Sequence, residues 1–363
     1  MGFRASSLLF AGAALCLAAP PLSAQEHPAI VLSEFIYDDP PTPECHASTI
    51  VETPSGLVVA WFGGEYERHP EVKIWVSRFQ DGRWTDPVAV ADGVQPDGTP
   101  LPTWNPVLFQ PTGGQLMLYY KAGPSPSTWW GMVMTSNDDG RTWSEPQRLP
   151  DGIYGPIRSK PVQLANGVIL AGSSTEHDGW RVHFETSRDG GHTWEASPPL
   201  NDGFEIGAIQ PTIVRHTDGR IQAIGRTRQN RIFTMESPDG GESWGPLTLT
   251  NLPNPSAGIE VVTLFDGRHL LVYNHTVRAE GDNGRGTLNI AISEDGENWD
   301  AVMVLEHEPG DHAGFSYPAA IQTTDGLVHI TYTWKRVRVR HVVLDPAALT
   351  SLGPIVAGHW PAE

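Results

Sequence analysis

The chain has 363 residues, with 24 Lys and Arg against 42 Asp and Glu and a formal net charge of −18. An acidic balance of that size repels nucleic acid and anionic membrane surfaces, so neither is expected as a partner. Gly (38), Pro (32) and Trp (13) are abundant, a composition suited to many tight turns between short strands.

The first element is a leader. Arg4 precedes an apolar run over residues 8–19, then Pro20-Pro21 and the small residues Ser23 and Ala24. That order reads as a secretory signal peptide, and the run is shorter than the roughly 20 apolar residues of a membrane span. Residues 1–24 are therefore expected to be removed, leaving 25–363 as one secreted or periplasmic domain with no membrane insertion. Its charge would be −19, from 23 basic and 42 acidic residues once Arg4 is gone. Export permits disulfides, but Cys16 leaves with the leader, and Cys45 is expected as a lone buried thiol.

Next comes a repeat. A pair of apolar strands around a glycine turn recurs six times, with turn glycines at Gly56, Gly114, Gly167, Gly219, Gly267 and Gly326. The spacing is roughly fifty residues, and Ser-Gly, Asn-Gly and Asp-Gly are favoured hairpin chemistry. Between hairpins lies a second motif, Ser136-x-Asp138-x-Gly140-x-x-Trp143. It returns at Ser187–Trp194 and Ser237–Trp244, one residue shorter at Ser293–Trp299, and degenerate at Ser77–Trp84. Ser and Asp side chains can accept hydrogen bonds from their own turn while Gly takes the left-handed position. These are Asp boxes, with structural acids. No helical periodicity interrupts the repeats. The expected fold is all-β, a six-bladed β-propeller, closed by a strand near Ala29–Phe35 or by Val337–Leu344.

In such a ring the heads of the inner strands converge on one mouth. The residues there are Cys45-His46-Ala47, Trp104-Asn105, Arg158-Ser159-Lys160, Ile209-Gln210, Glu260 and Ser316-Tyr317. Polar groups converging from separate blades suggest a ligand pocket.

The Asp boxes and hairpins resemble the bacterial "predicted neuraminidase" branch of the sialidase superfamily, over most of residues 25–363. The resemblance implies a sialidase-like propeller with exo-α-sialidase-like glycoside hydrolase activity on a glycan or oligosaccharide substrate. It implies a tyrosine nucleophile paired with a glutamate, an aspartate acid/base and three arginines for a sugar carboxylate. Tyr317, in Phe315-Ser316-Tyr317-Pro318, matches the nucleophile. Arg226 and Arg285 match the second and third arginines. The first is replaced by His46, which can donate a hydrogen bond or transfer protons but cannot clamp a carboxylate as a guanidinium does. In the loop after the first hairpin, Glu65 and Glu71 are the acid/base candidates, with Glu67 and His69 behind and Gly63-Gly64 to let it fold over a pocket. Gln210 or Glu260 is the candidate partner of the tyrosine. Asn105 and Lys160 are further binding candidates, and Lys121 with Trp129-Trp130 a sugar-stacking rim. His46 also keeps open a rhamnosidase- or lyase-type enzyme on uronate-containing polysaccharide, and a non-catalytic carbohydrate-binding propeller is a third reading. No zinc, phosphate-loop or nucleophile-elbow signature is present, so no metal or cofactor is expected.

Overall fold

Both faces of every blade in a propeller are covered by neighbouring blades, so its strands must be apolar almost throughout. The hairpins of this chain meet that demand: all of Leu116–Ala122 and all of Ile221–Thr227 are buried. The structure, a computed structural model, describes Gly2, residues 27–310 and residues 313–361. The expected leader lies outside the described residues apart from Gly2.

Six antiparallel sheets form the ring. Blade I comprises Glu44–Thr53, Gly56–Gly64, Lys73–Gln80 and Arg83–Trp84, with Val88–Ala91 also paired to its third strand. Blade II is Thr103–Phe109, Leu116–Ala122, Trp130–Ser136 and Gln147–Arg148. Blade III is Val162–Gln163, Ile169–Thr175, Arg181–Ser187 and Glu195–Ala196. Blade IV is Ala208–Arg215, Ile221–Thr227, Arg231–Ser237 and Thr248–Pro253. Blade V is Glu260–Thr263, His269–Tyr273, Thr287–Ser293 and Asp300–His307, with Gly353–Pro354 added outside. Blade VI is Phe315–Gln322, Val328–Trp334 and Arg338–Leu344, and its outermost strand is Ile30–Phe35 from the other end of the chain.

Closure therefore uses both strands that the sequence offered. Ser33 pairs with Val342 and Glu34 with His341. Trp84 Nε1 of blade I donates to Glu34 Oε1 at 2.8 Å, tying the closing strand to the next blade. The core lies between blades: Leu170, Val182 and Phe184 of blade III pack with Ile213, Ile221 and Phe233 of blade IV. Phe184 stacks face to face on Trp244, with ring centroids 3.8 Å apart. Among the described residues there is no α-helix, and no helix is long and apolar enough to cross a membrane.

The Asp boxes are built as their chemistry demands. Ser187 Oγ donates to Asp189 Oδ1 at 2.9 Å and accepts from Gly191 N at 2.8 Å. Asp189 also accepts from Thr193 N and Thr193 Oγ1. Asp138 and Asp239 repeat the pattern. Bonds from Thr142, Thr193 and Ser243 lower these three carboxyls to about 2. The boxes follow the third strands, so they lie at the end of the ring opposite the inner-strand heads.

Candidate active site

Four inner strands are bent at the same place. Ala47, Asn105, Gln210 and Tyr317 have φ of +54°, +39°, +57° and +55°. Pairing with the second strand slips at each: between His46 and Thr49, Trp104 and Val107, Ile209 and Thr212, and Ser316 and Ala319. These are β-bulges, which re-aim side chains at sheet ends. Pro106, Pro211 and Pro318 follow three of them, where a missing N–H is tolerated. A left-handed non-glycine residue costs about 1–2 kcal/mol, and four in register at one mouth point to a site rather than to chance.

Tyr317 is the centre. The His46 ring lies 4.1 Å from its own, centroid to centroid. The guanidinium carbons of Arg158, Arg226 and Arg285 lie 5.3, 5.5 and 5.8 Å from the tyrosine ring. The charge of a fourth guanidinium, Arg336, also acts on His46. Burial first, then the charges of Arg336, Arg285, Arg158 and Arg226, push its imidazole well below the ordinary histidine range. It is therefore neutral at physiological pH. Its Nδ1 lies 3.0 Å from Thr333 Oγ1, which also accepts from Ala47 N at 3.1 Å.

The arginines differ in what they hold. Arg226 and Arg285 both donate to Ser256 O, at 3.0 and 3.4 Å, while their Nε atoms are buried without a hydrogen-bond partner. Burial lowers Arg285 to about 10, so it stays charged. Trp180 carries Arg226 on its ring at 5.2 Å and Arg228 at 4.2 Å. Arg158 instead crosses the axis to the carbonyls of Ile259 and Pro318, next to Glu260 and Tyr317. It is a strut that fixes the floor of the mouth.

Glu260 and Lys160 belong to that floor. Glu260 accepts from Thr212 Oγ1 at 2.7 Å and lies 3.8 Å from Arg158, and burial pushes its carboxyl up. Lys160, lowered to about 7 by burial, donates to Thr49 Oγ1 at 2.8 Å and to Leu108 O at 3.3 Å. Asn105 Nδ2 holds Ile157 O, and Gln210 keeps a buried Oε1 without a partner.

The first-blade loop is not arranged as the sequence suggested. Glu65 and Glu71 are exposed, whereas Glu67 reaches Arg336 at 2.7 Å and its charge acts on Arg285. Gly63 and Gly64 are packed rather than hinged: a Cβ on Gly64 would sit 3.0 Å from Val72 Cα, and one on Gly63 2.6 Å from Thr42 Oγ1. The proposed rim also differs. Lys121 is fully buried and donates to Pro156 O at 2.6 Å; Trp129 packs on Trp104; Trp130 lies under Arg148 of the outer strand. Cys45 is a buried thiol that accepts from Tyr37 Oη.

Arg336 and Trp180 were not singled out from sequence, and Glu176 stood out only as one of several ionisable groups near the third blade. Glu176 follows the second strand of blade III; burial raises its carboxyl despite Arg226, Arg228 and Arg68. Arg226 is the penultimate residue of its blade's second strand and Arg336 follows its own, so the mouth end of second strands was the usable signal. A cavity of about 1070 Å³ opens elsewhere, between the outer strands of blades IV and V beside Trp244, Trp299 and Ile355; it includes none of these groups.

A six-bladed ring with Asp boxes at one end and a cationic mouth at the other is a sialidase-like propeller. The chain belongs to the family described as BNR repeat-like domain, which it matches over residues 55–330. A protein of unknown function from Dyadobacter fermentans is similar at a TM-score of 0.69 and 18% identity, over 87% of this chain and 98% of that one. A Hadza microbial sialidase is similar at 0.68 and 18%, over 85% of this chain and 66% of that one. The NanB sialidase of Streptococcus pneumoniae gives 0.67 and 13%, over 89% and 71%. The fold is thus that of the sialidase propellers, and the family is that of the BNR repeat-like domain.

Proposed function

We propose that the protein is an exported glycoside hydrolase that removes a terminal sugar bearing a carboxylate. The observation that supports this most is the convergence of three guanidiniums on Tyr317, with the charge of a fourth, Arg336, acting on His46. Buried like charges at one point repel each other, and a bound carboxylate relieves that repulsion while taking charge-assisted hydrogen bonds. The unpartnered Nε atoms of Arg226 and Arg285 are donors for it.

In this reading Tyr317 Oη bonds to the anomeric carbon as the bond to the leaving oxygen breaks. The phenol proton passes to His46, and Glu176 gives its proton to the leaving oxygen. Water then cleaves the tyrosyl–sugar bond, giving one proton to Glu176 and its hydroxyl to the sugar, and His46 returns the phenol proton to Tyr317. The substrate carboxylate offsets the guanidinium charges that add to burial in holding His46 neutral, so His46 becomes a better base once the acidic sugar is bound.

A second reading is favoured by one feature: Glu260 is engaged by Thr212 and Arg158 rather than by the tyrosine. Tyr317 and His46 would then act as acid and base of a uronate-directed lyase. The test is release of fluorophore from a 4-methylumbelliferyl α-sialoside, beside Tyr317→Phe. Release that the variant abolishes supports the hydrolase. An unsaturated product from a rhamnosyl-glucuronate oligosaccharide, with the sialoside untouched, supports the lyase; turnover of neither by a folded protein that binds acidic sugar leaves a binding propeller.

A further inference from the structure

We propose that Arg336 is the movable arm of the anion site, held aside by Glu67 until the carboxylate of a substrate displaces that glutamate. The inference rests on the acidic-sugar reading above and names the residue that completes the site where blade I supplies only His46.

Arg336 occupies a strained turn. Lys335 and Arg336 have φ of +50° and +62°, and Val337 N donates to Trp334 O at 3.1 Å. Two consecutive left-handed residues at the centre of a tight turn favour Asn and Gly, yet Lys and Arg stand here at a cost of about 1 kcal/mol or more each. The turn is laid against blade I, because Cys45 N, next to His46, donates to Arg336 O at 2.6 Å. The guanidinium thus comes from blade VI to the side of the mouth where the inner strand of blade I carries His46.

The four guanidiniums are not equally available. Arg158 is fixed on two backbone carbonyls, and Arg226 and Arg285 lean on Ser256 O. Arg336 holds a carboxylate on a surface loop: Glu67 at 2.7 Å, with side chains 24% and 34% exposed. A pair that wet contributes at most about 1 kcal/mol, so a substrate carboxylate can exchange for Glu67 at little cost. Glu44, Phe62, Glu67 and Arg336 pack too closely to leave room for a water molecule between them, so a carboxylate enters there only as Glu67 moves out.

The test titrates the full chain with N-acetylneuraminic acid and with D-glucuronate, using D-glucose as the neutral comparator. The variants are Arg336→Met, Glu67→Gln, the double variant and Arg226→Met, each with a melting curve. Wild type should prefer an acid to glucose, and Arg336→Met should weaken that acid about tenfold at unchanged melting temperature. Glu67→Gln should tighten it about threefold, and only while Arg336 is present. If Arg226→Met loses the acid but Arg336→Met and Glu67→Gln do not change it, the movable arm is wrong and the acidic-sugar reading stands. If wild type does not distinguish either acid from glucose, both are wrong.

Discussion

Replacing Glu185 by alanine should destabilise the protein by about 3–4 kcal/mol and loosen a mouth that this residue never touches. Glu185 is fully buried between blades II and III. It accepts from Tyr154 N at 2.8 Å and Gly155 N at 2.6 Å, and His183 Nε2 lies 3.1 Å away. Buried Lys121 holds the next residue through Pro156 O. Together they fix residues 154–156, which lead directly into Arg158. Removing the carboxylate orphans two buried N–H groups, at about 1–3 kcal/mol each, of which relaxation recovers part. The cavity adds about 1 kcal/mol. Leaving Lys121 without its counter-charge adds little, because burial has already lowered that amine to about 7 and it can shed its proton. Urea unfolding at constant m-value gives the stability change. In the same variant kcat should fall more than KM rises, since Arg158 loses its anchor. A loss below about 1 kcal/mol, or normal turnover at that loss, would refute the idea that this network sets the mouth.

Acid should weaken the fold between pH 6.5 and 4. Burial first, then His216, lowers His269 to about 4, and burial, then His341, does the same to His329. Each binds its proton more readily when unfolded, so the stability is complete above 6.5 and is lost as pH falls towards 4, at up to about 2 kcal/mol apiece. The depressed Asp-box carboxyls act only below this window, so His329→Asn should flatten the slope of melting temperature against pH. Glu176→Gln should lower kcat at least about tenfold for an alkyl leaving group and little for a nitrophenyl one, which needs no proton; equal losses would remove Glu176 as the acid.

The ring and its boxes were legible because their causes are local. Each box closes on bonds within seven residues, and each hairpin carries its own turn. Tyr317 and Arg226 were legible because they adjoin hairpins. Arg336 was not, because it meets His46 only once Ile30–Phe35 closes blade VI beside blade I. Glu65 and Glu71 misled because the loop path decides which acid turns inward, and Arg68, at φ +82°, bends it at Glu67. Lys121 read as a rim residue because a lysine in an apolar strand normally snorkels outward; here both blade faces are covered and a carbonyl takes the ammonium. Trp129 packs edge-on against Trp104 within the fold, so Trp129-Trp130 do not form an aromatic pair for a sugar.

The most direct measurement is the hydrolysis rate of an α-sialoside against its carboxyl methyl ester, which keeps shape and removes charge. Three guanidiniums around Tyr317, with Arg336 acting on His46, predict a loss in kcat/KM of at least about 100-fold for the ester. Rates within about threefold of each other would mean that the cationic mouth does not read the carboxylate.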